Sequence, residues 1–197
     1  MSNKRYVGID MSSLTGFVIL NHLGEVIVEE ELWFPYKKDP ERMMYIVGEI
    51  LGRINKETDV IGIENFSYGS KGRGIDFQFG LGWVMREKLT SLGYKYYDVA
   101  PGGVKKYATG NGSVKKEVMV LPLYRRWGYF NASDNVTDAF VLAKIAEGLD
   151  KGCEGLKEHE KQVVRTVKNS VLNKEEWEEQ KPPPKRRKTI EDIIRKQ

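Results

Sequence analysis

Two short apolar, β-branched runs, YVGI at residues 6–9 and VIGI at residues 60–63, each deliver a carboxylate at their end, Asp10 and Glu64. Such runs read as buried strands, and the second, apolar throughout, suits a sheet centre covered on both faces. If the two strands are parallel neighbours, their ends lie side by side and the acids converge. A third acid, Asp138, lies in the stretch DNVTDAFVLA, one turn into a helix, with Asp134 four residues earlier on the same face. A cluster of carboxylates that nothing neutralises is electrostatically costly. It makes sense around hard divalent cations, which take oxygen ligands. The pattern points to metal-assisted phosphate chemistry.

The rest of the chain supplies a frame for that convergence. Residues 6–9, 16–20 and 26–33 read as three strands of an antiparallel meander. A helix starts at Asp39-Pro40-Glu41, with Asp39 as N-cap and Pro40 in the first turn. After the strand at 60–63 comes a glycine-rich exposed loop, 66–74, and then a helix over about 77–92 that Gly93 ends. A fifth strand, 94–99, is broken by Ala100-Pro101-Gly102-Gly103. A basic segment follows, then helices over about 115–127 and 135–149. This order gives an α/β fold, a mixed five-stranded sheet flanked by helices. Residues 1–155 form the domain, 156–173 a C-terminal amphipathic helix, and 174–197 a charged, basic and flexible tail.

A hydrophobic content of 40%, with four Trp and ten Tyr, supports a packed core. The single cysteine, Cys153, leaves no intrachain disulfide and no zinc-type spacing. No leader-like segment opens the sequence and no apolar run is long enough to span a bilayer, so the expectation is a soluble cytoplasmic protein with no membrane and no small-molecule cofactor. The formal charge of +4 is unevenly spread: residues 181–197 carry a net +5 and the first 180 residues a net −1. The run PPPKRRK reads either as a polyanion tether acting through counterion release or as a nuclear-import signal, and the tether is preferred. Lys105, Lys106, Lys115 and Lys116 flank Gly110-Asn111-Gly112, where backbone N–H and ammonium groups can both reach phosphate; the plain alternative is a solvated charge run. Phe66 and Tyr68, in a loop with Lys71 and Arg73, read either as core packing at a strand end or as rings that stack on unpaired bases. Asp134 is either a helix N-cap or a ligand, or both.

Taken together, GIDMSSLTG, IENFSYG, APGGVKKYATGNGSVKKEVM and DNVTDAFVLA resemble the RuvC family of Holliday-junction resolvases, over about residues 5–148. The resemblance implies an RNase H-like fold and a homodimer that nicks four-way, branched DNA symmetrically. It also implies two Mg2+ ions per active site, with Mn2+ able to substitute, held by Asp10, Glu64 and Asp138. The family's basic DNA-contacting positions fall on Lys105 and Lys116. The helix over 77–92, with Phe77, Leu81, Val84 and Met85, is the expected contact between copies. There are departures: Met11-Ser12 stands where relatives have Pro-Gly, Asn135 holds the place of a fourth ligand with Asp134 beside it, and Ser67 sits where relatives carry an aromatic wedge. Broader flap or branch nucleases and RNase H-like ribonucleases share the fold. An actin-like ATPase would need a second domain, and a non-catalytic junction binder would not need all three acids.

Overall fold

The computed structural model describes residues 3–67 and 74–179, the side chains of 172–179 excepted. Alternation along the strands divides the core in two. β1 (Arg5–Asp10) sends Val7 and Ile9 to one face and Tyr6, Gly8 and Asp10 to the other; β4 (Asp59–Glu64) does the same with Ile61 and Ile63 against Val60, Gly62 and Glu64. With β2 (Thr15–Leu20), β3 (Val26–Leu32) and β5 (Tyr96–Val99), they form one sheet in the order β3-β2-β1-β4-β5. The first three strands are an antiparallel meander, and β4 runs parallel to both β1 and β5. The expected mixed five-stranded sheet is present, with β1 and β4 adjacent and Ile9 opposite Ile63.

α1 (Glu41–Leu51) and α2 (Ile75–Ser91) cover the face that carries Val7, Ile9, Ile61 and Ile63. α5 (Asp134–Lys151) lies on the other face, buried along nearly its whole length from Val136 to Ala146. α3 (Pro101–Thr109), α4 (Val120–Trp127) and α6 (Glu158–Glu179) close over it. The middle of α5, residues 139–143, is apolar on every side and must be enclosed, and burying side chains such as Leu142 and Ile145 contributes about 2 kcal/mol each.

Glycines let α5 come so close. A Cβ on Gly8 would sit 1.8 Å from the Ala139 carbonyl oxygen, one on Gly16 2.0 Å from that of Asn135, and one on Gly62 2.7 Å from that of Leu142. The backbone of α5 therefore rests directly on three adjacent strands.

Several elements differ from the sequence reading. Pro101-Gly102-Gly103 does not merely end a strand: Pro101 opens α3, where its missing N–H costs nothing in the first turn. The helix expected over 115–127 is a 3-10 turn, Lys116–Met119, followed by α4. Asp39 does not cap α1; Pro40 holds that position and Asp39 pairs with Arg42 at 2.9 Å. The fifth strand begins at Tyr96 rather than at residue 94. Phe77, Leu81 and Met85 lie in the core under α1, and Val84, half-buried, packs against the same cluster, so the first three side chains are taken up by this chain's own core.

α6 runs to Glu179, beyond the expected end at 173, and adds Val163, Val164 and Val167 to the core. Its buried Glu160 accepts from the Lys157 backbone N–H at 2.7 Å and from Arg126 Nη2 at 3.1 Å. This is half of a capping box joined to an ion pair that ties α6 to α4. The basic run at 182–188 and the remainder of 180–197 lie outside the described residues. Among the described residues, no helix is long and apolar enough to cross a membrane.

Gly8→Ala is expected to destabilise the chain by about 3 kcal/mol or more, since backbone must move on both sides of the contact. Gly48→Ala, on the exposed side of α1 with nothing within 4 Å of the added Cβ, should stabilise by roughly 0.5–1 kcal/mol. Urea denaturation of the two variants beside the parent chain measures both.

Candidate active site

The close approach of α5 and the pleat of the strands place the acids. Asp10 follows Gly8 by one pleat and Glu64 follows Gly62 by one pleat, so both carboxylates emerge on the α5 face just past the glycine contacts. On α5, Ser133 is the N-cap and its hydroxyl accepts from the Val136 N–H. Asp134 is thus the first helical residue rather than the cap. Asp138, one turn on, is buried and projects towards the strand ends.

Asp10 is 3% exposed and shares a hydrogen bond with Glu64. Burial first, and then the charge of Asp138, pushes Asp10 up to about 6, against the hydrogen bond to Glu64 and the charge of Lys116. Burial and the neighbouring Asp10 raise Glu64 further, to about 9. The two titrate as one pair, and near neutral pH one proton held between them removes one of the two charges. Asp138 is also raised by burial, opposed by the Lys116 ammonium 2.6 Å from its Oδ2. Burial alone would lower Lys116, but Asp138, Asp10 and Glu64 together hold it above its usual value.

Asp134 is exposed, yet near enough for its charge to raise Asp138. Asn135 is turned away, its amide donating to Glu31 Oε1 at 3.3 Å. Of the basic residues, Lys105 and Lys116 both act on Asp138. Lys106 instead lines the groove between α3 and α6 with Gln162 and Thr166, and Lys115 is exposed. The N–H groups of the glycine loop are largely committed within the chain. That of Gly110 donates to the Lys106 carbonyl, that of Asn111 to Thr109 Oγ1, and that of Ser113 to Asn111 Oδ1.

Phe66 is not a free wedge. Its ring stacks on Phe79 at 4.9 Å, leans on Trp83 at 5.0 Å, and lies under the Arg86 guanidinium at 4.5 Å. Tyr68, Lys71 and Arg73 lie outside the described residues.

Arg86 was not anticipated. Buried in α2, it donates through Nη2 to the Glu64 carbonyl at 2.9 Å, through Nε and Nη2 to Asp98 Oδ1, and through Nη1 to the Gly82 carbonyl. It thereby fixes the end of β4, and with it Glu64, against β5 and α2. The available signal was its helical position: Gly82, Arg86 and Leu89 share the buried side of α2.

The donor set is all carboxylate oxygen, which fits a magnesium-type ion rather than a thiophilic one. Asp10 and Glu64 already converge. Among the described residues no group of three acids is gathered tightly enough to hold an ion, and Asp138 is the member engaged elsewhere, with Lys116.

No protein-family model and no curated protein sequence matches the chain. Among solved structures it is similar to that of Thermus thermophilus RuvC, with a TM-score of 0.62 at 17% sequence identity, covering 75% of this chain and 96% of that one. It is also similar to T. thermophilus RuvC in complex with a Holliday junction substrate, with a TM-score of 0.58 at 18% identity, covering 76% and 96%. At these identities the likeness is one of fold, and the fold is RNase H-like α/β.

The acid pair sets a pH dependence in the absence of metal. Both carboxyls are raised in the folded chain from ordinary values of 3.8 and 4.5, so over that window the folded state holds protons the unfolded state has released. Their contribution to stability is full in acid and is lost as pH rises towards about 9. Melting temperatures in chelator should therefore fall from pH 5 to pH 9 more steeply for the parent chain than for Asp10→Asn, which should be the more stable of the two at the alkaline end.

Proposed function

We propose that the chain is a metal-dependent, structure-selective DNA endonuclease that nicks four-way junctions symmetrically. The observation that supports this best is the buried acid cluster itself, with Asp10 and Glu64 on adjacent parallel strand ends and Asp138 delivered by a helix lying on the backbone of both. Two buried carboxylates, Asp10 and Asp138, with the half-buried Glu64 beside them, destabilise a fold unless something of opposite charge belongs among them. Two Mg2+ ions held by Asp10, Glu64 and Asp138, with Asp134 at the rim, would supply an activated water and charge to stabilise the leaving oxygen. Mn2+ offers the same hard-ligand chemistry.

The chain's own residues do the rest. Asp10, at the end of the central strand, would hold metal together with Glu64 on the neighbouring strand end. Arg86 keeps Glu64 in position through its carbonyl. Lys105 and Lys116 meet the DNA backbone beside the acids, and Lys115 extends that basic edge outward. Tyr68, Lys71, Arg73 and Lys106 are proposed as outlying DNA contacts on the sequence reading alone.

Symmetric nicking needs two such sites about a two-fold axis. The outward side of α2 suits this contact: Trp83 is 58% exposed beside the Phe66–Phe79 stack, whereas Phe77, Leu81 and Met85 are buried. One observation favours a second reading, a broader branched-DNA or flap nuclease: the ring nearest the second acid, Phe66, is held by α2 instead of being presented to a junction centre.

Asp10→Asn should lower cleavage of a synthetic four-way junction in Mg2+ by roughly a thousandfold or more while leaving junction binding intact. Full activity in that variant would refute the assignment. Assays on junction, flap and RNA–DNA hybrid in parallel separate the two readings. Trp83→Glu should convert a dimer into a monomer at micromolar concentration by native mass measurement, and should abolish paired nicking before it abolishes single nicks.

A further inference from the structure

The ammonium of Lys116 occupies the place where Asp138 would meet a cation. We propose that Lys116 is a built-in competitor for the metal at Asp138, which a divalent ion must displace before the acid cluster is complete. This rests on the metal-dependent reading above.

The geometry gives the two partners unequal freedom. Lys116 Nζ lies 2.6 Å from Asp138 Oδ2, but the lysine side chain is 39% exposed and the aspartate side chain 5%. Asp138 is held by the buried helix α5 and has nowhere to withdraw. Lys116 can swing its flexible stem into solvent without uncovering the core. Its backbone stays put, because the turn it opens is anchored by buried Met119 on one side. On the other side the loop is pressed against α3, where a Cβ on Gly112 would lie 2.7 Å from the Gly102 carbonyl oxygen.

The consequence is a coupling between substrate and metal. In the DNA-free chain the ammonium compensates Asp138 and keeps it from joining Asp10 and Glu64. A DNA phosphate beside the acids offers the same ammonium a second anion to bond. Drawing it outward frees Asp138 for an ion, so DNA binding and ion entry favour each other.

The test is Mn2+ binding to the DNA-free full chain, followed by electron paramagnetic resonance, for the parent, Lys116→Met, Lys116→Arg and Asp10→Asn. Lys116→Met should bind Mn2+ roughly tenfold more tightly than the parent, the size expected for one partly exposed charge contact removed from the ligand's path. Lys116→Arg, which keeps a cation there, should stay near the parent. Binding by Lys116→Met that is equal to or weaker than the parent's overturns the proposal and leaves the metal site standing, as does equal tightening in Lys116→Arg. If neither the parent nor Lys116→Met binds above the Asp10→Asn background, the metal-dependent reading itself fails, and the competitor with it.

Discussion

The contact on which the structure depends is backbone against backbone: α5 lying on β1, β2 and β4 with only hydrogen where side chains would stand. At Gly8, Gly16 and Gly62 an added Cβ would fall within 2.7 Å of a main-chain carbonyl oxygen of α5. Side chains normally keep a helix about 10 Å from a sheet, and a carboxylate has too short a reach to cross that gap. Removing them at three neighbouring points lets Asp138 come down beside carboxylates that the strands present one pleat further on. Packing and site geometry are therefore the same feature, because the glycines that admit the helix also set the depth at which Asp138 faces the strand-end acids.

That depth has an electrostatic cost, and the chain meets it with two devices. Asp10 and Glu64 share a proton, so that one of two buried charges is absent. Asp138 keeps its charge against the Lys116 ammonium. Neither device is a good permanent solution, since a buried ion pair rarely improves on apolar packing. Both are readily exchanged, however. A proton and a half-exposed ammonium can leave, whereas the carboxylates are fixed by β1, by Arg86 behind β4, and by α5. What is rigid in the site is the anionic frame, and what is mobile is its compensation.

Much of this was legible in the sequence, for identifiable reasons. The period-two alternation and apolar runs of the strands, ending on Asp10 and Glu64, carry the sheet and the adjacency of the acids. The enclosed stretch from Val136 to Ala146 carries α5. Misreadings arose where one residue type serves two purposes. Pro101-Gly102-Gly103 reads as a breaker, yet Pro opens a helix as readily as it stops one. Asp134 reads as a cap, a ligand or both, and of these the cap belongs to Ser133 beside it. Phe77, Leu81 and Met85 show an apolar stripe without saying whether it meets the chain's own core or a second copy. Gly8 and Gly62, each two residues before an acid, acquire their role only once α5 is in place. Pairings between distant segments, Lys116 with Asp138 and Arg86 with Asp98, leave no local trace.

The position of Lys116 also depends on the C-terminal helix α6. Its turn leads straight into α4, which is short and carries exposed Leu121 and Tyr124 on its outer side. Eight residues form a marginal helix on their own. Its hold on the body comes from buried Met119 and Leu123 and from Arg126, whose guanidinium reaches the Gly155 carbonyl and Glu160. Glu160 is 1% exposed and belongs to α6, so the ion pair joins the C-terminal helix to the segment that carries Lys116. α6 thus extends the core and also pins from behind the element whose side chain faces Asp138. A perturbation of α6 would reach the acids by that route: through Glu160 to Arg126, along α4 to Met119, and so to Lys116.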